Sequence, residues 1–146
     1  MSTNEFDLAR FLAAQKGSYA EALSELRAGK KRSHWIWWVF PQLKGLGLSS
    51  TSEIYGLSGL DEARAYLADQ LLAQRLKEAV NAMLAHSSSS AASILGELDA
   101  FKFRSCLTLF SLAAPNEKIF ADALAQFFDG EQDARTIELL QAQGEA

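Results

Sequence analysis

Apolar positions along the chain recur at intervals of three and four, and helix punctuation divides them into segments. Leu8, Phe11 and Leu12 begin a stripe that Gly17 interrupts. Ser18-Tyr19-Ala20-Glu21 has the form of a capping box, in which hydroxyl and carboxylate serve reciprocal backbone donors. It predicts a helix that runs to about Ala28 and stops at Gly29. A second start at Ser58 to Asp61 precedes Leu67, Leu71, Leu72, Leu76, Val80, Met83 and Leu84, which hold one face of a long helix. Ser87 to Ser90 is a short polar connection. Asp99 to Ala113 is apolar on most sides, the mark of a buried helix, and Pro115 breaks it. Ile119, Phe120, Ala123, Leu124, Phe127 and Phe128 form an amphipathic stripe closed by Gly130. A last helix begins near Asp133 and carries Ile137, Leu139 and Leu140.

One segment departs from this pattern. Trp35-Ile36-Trp37-Trp38-Val39-Phe40 is rich in β-branched and aromatic residues, which suit a pleated surface. A strand needs a partner for its backbone groups, and no other segment reads as one. The segment is therefore expected to be a short helix or tight turn, ending before Pro41 because proline disfavours helical backbone in the residue ahead of it. The expectation is an all-α fold, one compact bundle of about six to eight helices, some short, over residues 1–146.

Length and composition agree with that picture. A chain of 146 residues buries about 68–70% of its unfolded surface. A composition of 49% hydrophobic and 22% charged residues is that of a folded domain. The 56 residues after Ser90 would make a marginal core alone, so the polar run is not read as a linker. A net charge of −4 argues against a nucleic-acid-coating protein, though it leaves room for a local basic patch. One cysteine, Cys106, excludes an internal disulfide and suits a reducing compartment. The polar opening from Met1 to Glu5 has no signal-peptide pattern, and no apolar run approaches the roughly 18 residues of a membrane span. A cytoplasmic location, away from membranes, is expected.

Candidate chemistry concentrates in Lys30-Lys31-Arg32-Ser33-His34-Trp35-Ile36-Trp37-Trp38-Val39-Phe40-Pro41-Gln42, which holds all 3 tryptophans and one of the 2 histidines. No carboxylate occurs from Leu26 to Ser52, whereas Arg27, Lys30, Lys31, Arg32 and Lys44 are basic, an anion-attracting stretch in an acidic chain. In a ligand site, Trp35 or Trp38 would stack, Ser33 and Gln42 would bond polar edges, and Lys31 and Arg32 would meet negative charge. His34 would act as acid, base or donor. The competing account is packing: tryptophans are core anchors, and lysines after a helix end complement its dipole.

On the apolar helix, Asp99, Lys102 and Ser105 step by three along one edge. A lysine there needs a carboxylate, a carbonyl or an anionic ligand, so Lys102 and Ser105 join the candidate ligand-binding set. The plainer alternative is that Asp99 caps the helix and Lys102 pairs with it. Cys106, among Leu107, Leu109 and Phe110, reads as a buried thiol. His34 and His86 have no partners at metal-ligand spacing, so no metal is predicted, and His86 reads as a helix C-terminal cap. Gly45-Leu46-Gly47 is too short for a dinucleotide fingerprint, and no cofactor is predicted.

The run Gly29 to Trp37, with Ser33-His34-Trp35 at its centre, continues to Phe40-Pro41-Gln42 and Gly45-Leu46-Gly47. Together with Tyr55, Ala63, Tyr66-Leu67, Asp99, Lys102, Ser105 and Thr108-Leu109-Phe110, it resembles a bacterial family known as a domain of unknown function. The resemblance spans about Phe11 to Leu140 and implies a mainly helical fold and no established activity. Ile36 stands where methionine is common in that family, and Cys106 where serine is common. Some such proteins carry the label calpastatin, but inhibitors of that type are extended and repetitive, and this chain has no internal repeat.

These readings lead to three functional expectations. The first is a site for a small anionic, nucleotide-like ligand between the Lys30–Gln42 segment and the Asp99–Thr108 helix, with hydrolysis as its catalytic version and His34 and Lys102 in one site. The second is a non-enzymatic protein-interaction module with a basic rim over an aromatic core. The third and weakest is binding of RNA or single-stranded DNA through the same patch.

Overall fold

The structure, a computed structural model, describes residues 6–144. Among them it forms ten helices and no named strand. They are α1 (Ala9–Lys16), α2 (Tyr19–Ala28), α3 (Ile36–Val39), α4 (Ser50–Tyr55), α5 (Leu60–Ala68), α6 (Gln70–Leu84), α7 (Ala91–Leu95), α8 (Glu97–Ala113), α9 (Lys118–Phe128) and α10 (Ala134–Ala142). The architecture is all-α, and the helices beyond the predicted set are short. α4 and α7 each begin at a serine, Ser49 and Ser90, whose side chain accepts the backbone N–H three residues on. The long helix predicted across Leu67 to Leu84 is two helices. Asp69 turns to extended backbone (ψ 118°) and its carboxylate caps the Leu72 N–H of α6 at 3.0 Å.

α8 is the axis of the bundle. It packs against α3, α5, α7, α9 and α10, and nine of its residues are buried. Phe103, Cys106, Leu107, Leu109 and Phe110 are wholly inaccessible. Rings extend this core outward: Phe40 lies 4.6 Å from Phe103, Phe110 lies 5.5 Å from both Tyr66 and Phe120, and Tyr66 lies 5.2 Å from Phe11. Aromatic contacts at such distances add about 0.5–1.5 kcal/mol each beyond area burial. Burial pushes the Cys106 thiol well above its ordinary pKa, which keeps it protonated and inert. No described helix is long and apolar enough to cross a membrane.

Two predicted caps behave differently from each other. The Ser18 hydroxyl makes no capping bond to α2; it donates to the Ala14 carbonyl at 2.7 Å and accepts the Trp38 Nε1–H at 2.8 Å. The capping box is thus dismantled by a tertiary bond to a ring 20 residues away. His86 does cap a C-terminus, that of α2, with Nε2 2.7 Å from the Leu26 carbonyl. That partner requires the proton on Nε2.

Gly29 ends α2 in the left-handed region at φ 79°, and the Lys30 N–H reaches back to the Glu25 carbonyl at 3.0 Å. A Cβ at this position would stand 3.2 Å from the His86 ring. Gly29→Ala is therefore expected to lower unfolding stability by about 1–2 kcal/mol, the cost of left-handed backbone for a residue with a Cβ. A urea melt with an unchanged midpoint would show that the turn relaxes instead.

Candidate functional site

The Lys30–Gln42 segment folds around a carboxylate that local sequence reading passed over. Glu25 lies on the buried face of α2 beside Ala22 and Leu26 and is only 8% exposed. Its Oε1 accepts the backbone N–H of Arg32 (2.8 Å), the backbone N–H of Ser33 (3.0 Å) and the Nε1–H of Trp35 (2.9 Å). Its Oε2 accepts the Ser33 hydroxyl at 2.5 Å. Burial opposes ionisation, but these four donors outweigh it, the Ser33 hydroxyl foremost, and hold the carboxyl at about 2. The apolar spacing of α2 was the available signal, since Glu25 occupies a position on the stripe that a hydrophobic residue would fill.

This clamp decides where the predicted site residues go. Ser33 and Trp35 are committed to Glu25, and Trp35 is 1% exposed, so the expected stacking role is corrected for it: its ring is core. Trp38 is half-buried, with its ring 5.2 Å from Tyr55 and its N–H on Ser18, on the α1–α4 side of the molecule. Lys31 is folded inward. Its Nζ donates to the Ser33 carbonyl (2.6 Å) and pairs with Asp99 (2.8 Å), above the Trp35 ring at 5.0 Å. Arg32 and His34 are exposed.

A second grouping has a different character. Past α3, Pro41 and Gln42 are buried, and a single parallel bridge between Leu43 and Leu57 holds the chain here. The Leu57 N–H donates to the Gln42 carbonyl (2.8 Å) and the Lys44 N–H to the Leu57 carbonyl (2.7 Å). The backbones meet so closely that a Cβ on Gly56 would lie 2.6 Å from the Lys44 Cα. Between this bridge, α8 and the start of α10 lies a cleft of about 280 Å³. Trp37, Gln42, Gly47, Lys102, Ser105 and Arg135 are among its lining residues. Of the predicted residues, it gathers Gln42, Lys102 and Ser105, and it does not include His34.

The polar inventory of the cleft is unequal. Ser105 donates its hydroxyl to the Phe101 carbonyl at 3.1 Å. Asp133 also lines the cleft, but its Oδ2 caps α10 by accepting the backbone N–H (2.9 Å) and the hydroxyl (2.6 Å) of Thr136. Asp99 is shared by two ammonium groups, Lys31 at 2.8 Å and Lys102 at 3.4 Å, which leaves one positive charge in surplus. The looser partner, Lys102, is the one that lines the cleft, 5.8 Å from the Trp37 ring. Arg135, itself exposed, forms an ion pair with the exposed Glu138 at 3.4 Å. Gln42 is 1% exposed, and its Nε2 has no hydrogen-bond partner among the described residues. Arg135 and Trp37 were not predicted. Arg135 belongs to a helix 93 residues from Gln42, which no local pattern connects. Among the described residues, no group of three or more His, Cys, Asp or Glu is placed to hold a metal.

Two outcomes follow from these environments. A carboxyl held below its ordinary 4.5 stabilises the fold fully above about pH 4.5 and loses that contribution as pH falls toward about 2. A depression of this size is worth roughly 3 kcal/mol. Glu25→Gln should cost about 2–3 kcal/mol at neutral pH and flatten the acid limb of the stability curve over that window, as read by urea unfolding at several pH values. A variant as acid-sensitive as the wild type would place the titrating group elsewhere. Gln42→Met should behave in the opposite sense and raise stability by about 1 kcal/mol, because it removes a buried amide with an unmet donor while keeping its shape. A clear loss of stability would mean that the amide is satisfied within the fold.

The crystal structure of the conserved hypothetical protein Rv1873 from Mycobacterium tuberculosis has the same fold, with a TM-score of 0.92 and 43% sequence identity. That similarity covers 94% of this chain and 99% of that one. No curated protein matches the chain. The family described as "Protein of unknown function (DUF1810)" matches residues 5–140, and the chain belongs to it.

Proposed function

We propose that the protein binds a small anionic ligand in the cleft between the Gln42 loop and α8. The observation that carries this reading is the pairing of unspent donors with surplus positive charge. The Nε2 of Gln42 is buried and unpartnered, and Lys102 and Arg135 line the same cleft with only loose ion pairs. Buried polar groups are nearly always satisfied, and binding sites are where exceptions collect. A ligand with acid oxygens would supply what Lys102 and Arg135 lack, and it would bring an acceptor within reach of the Gln42 amide. The nucleotide-like class fits this chemistry only at its smaller end. The cleft's volume of about 280 Å³ lies just below the roughly 300 Å³ at which ligand pockets begin.

The proposal is for binding. Ser105 has its hydroxyl turned to a backbone carbonyl, and no histidine lies among the lining residues, so the cleft has no assembled nucleophile and base. The exposed His34 stands outside it. Cytoplasmic small molecules are the natural pool for such a site.

A thermal-shift panel of nucleoside monophosphates, ADP-ribose and neutral nucleosides, run at low and high salt, tests the reading. Acid-bearing compounds should stabilise the protein, neutral nucleosides should not, and the shifts should shrink as salt rises. Lys102→Met should weaken binding about tenfold, or ~1.4 kcal/mol. The fold should tolerate the change, since Lys31 stays on Asp99. Shifts that ignore both charge and salt would overturn the anion site and favour the interaction-module reading.

A further inference from the structure

We infer that the ligand of this cleft is bifunctional, with an acid group that meets Lys102 and Arg135 and a separate neutral hydrogen-bond acceptor that Gln42 reads. The inference rests on the anion reading above and deepens it, because it assigns Gln42 the role of specificity-determining residue. A carbonyl or a ring nitrogen would serve as the acceptor.

The reasoning starts from how tightly Gln42 is held. Pro41 precedes it, its carbonyl accepts the Leu57 N–H, and the Leu43–Leu57 bridge follows at once. The main chain at Gln42 is therefore fixed, and the terminal amide is the part free to respond. Its Nε2 is out of contact with solvent as the side chain now lies, so meeting a ligand takes a turn about the last side-chain torsion. That torsion joins tetrahedral and planar carbons and is broad and soft. The cost of leaving a buried donor unpaired supplies the drive.

The division of labour follows from the range of the two forces. Lys102 and Arg135 carry full charges and attract any anion, with little regard to the rest of the molecule. A primary amide nitrogen is an uncharged donor whose preference reaches only hydrogen-bond distance. Ammonium and guanidinium groups compete strongly for acid oxygens, so the neutral amide is left to test what the acid group is attached to. Trp37 and Gly47 wall the space beside it. The small volume restricts the ligand to a short molecule, in which acid and acceptor stand a few bonds apart.

Matched probes separate this inference from the reading beneath it. Hydroxyacetone phosphate with propyl phosphate and levulinate with valerate each pair an acid bearing an additional carbonyl acceptor with a simpler acid of the same length. Affinities are measured by NMR titration of the full-length wild type and of Gln42→Met. The acceptor-bearing member should bind the wild type about tenfold tighter, the gain expected of one hydrogen bond. Gln42→Met should erase that preference and leave the simpler acids unchanged. The phosphate and carboxylate pairs identify which acid the cations favour. A second readout uses the wild type alone: the Gln42 side-chain amide signal should move with the acceptor-bearing compounds and stay still with the others.

Equal binding within every pair would overturn the inference while leaving an anion site in place. So would a preference that survives in Gln42→Met, or a variant that loses both members of a pair alike, which would mean that Gln42 contacts the acid group itself. Failure of every acid to bind, with Lys102→Met indistinguishable from wild type, would remove the anion reading and this inference with it.

Discussion

Four hydrogen bonds converge on one buried carboxylate, and they arrange the half of the molecule that carries the candidate cleft. Glu25 takes a turn of chain with two backbone donors, a hydroxyl and an indole N–H, and holds it against α2. With that turn fixed, Trp35 enters the core beside Phe40. α3 follows at Ile36, and beyond Pro41 the chain brings Gln42 to the cleft. Lys31 is drawn inward by the same turn and meets Asp99, so α8 is tied to the segment as well. A carboxylate with a single partner could not do this. Ionised and buried, it needs several donors at once, and the chain that provides them has few ways to run.

The fold was legible where helix-period stripes met local punctuation. α2 lies between its predicted start and Gly29, α1 and α9 stop near Gly17 and Gly130, α10 begins after Asp133, and α3 stops ahead of Pro41 as its sequence requires. Sequence reading failed where a side chain had two possible partners. Ser18 has the form of a cap, but the Trp38 N–H claims its oxygen, and no local pattern contains that contest. Asp69 divides one apolar stripe into two helices because its carboxylate caps the second. A periodic stripe continues across such a break without showing it.

The candidate site was half legible for a related reason. The stretch from Leu26 to Ser52 lacks carboxylates in sequence but not in space. Glu25 lies against Arg32 and Ser33, Asp99 against Lys31, Glu78 near Arg27 and Glu53 near Lys44. Three of the five cations, Arg27, Lys31 and Lys44, therefore stand beside carboxylates from neighbouring helices. What remains at the cleft is the surplus on Lys102 together with Arg135, which arrives from the last helix. Lys102 stood out as a polar residue inside apolar sequence, Ser105 as its neighbour along one helix edge, and Gln42 as a polar group beside the aromatic run. His34 was singled out for its chemistry, which says nothing of position, and it lies on the surface apart from the cleft.

The bridge between Leu43 and Leu57 closes a loop whose neck is pinned by two backbone hydrogen bonds and a glycine that tolerates no Cβ. Its far end is exposed at Leu48, just ahead of the Ser49 cap of α4. Residues can be added or lost at that tip without disturbing the neck. The neck holds Gln42, whereas the loop itself supplies Leu46 and Gly47 to the cleft. The two parts can therefore diversify independently, with a constant floor beneath an exchangeable rim. Relatives with longer or shorter loops would keep the same floor to the cleft and differ at its rim.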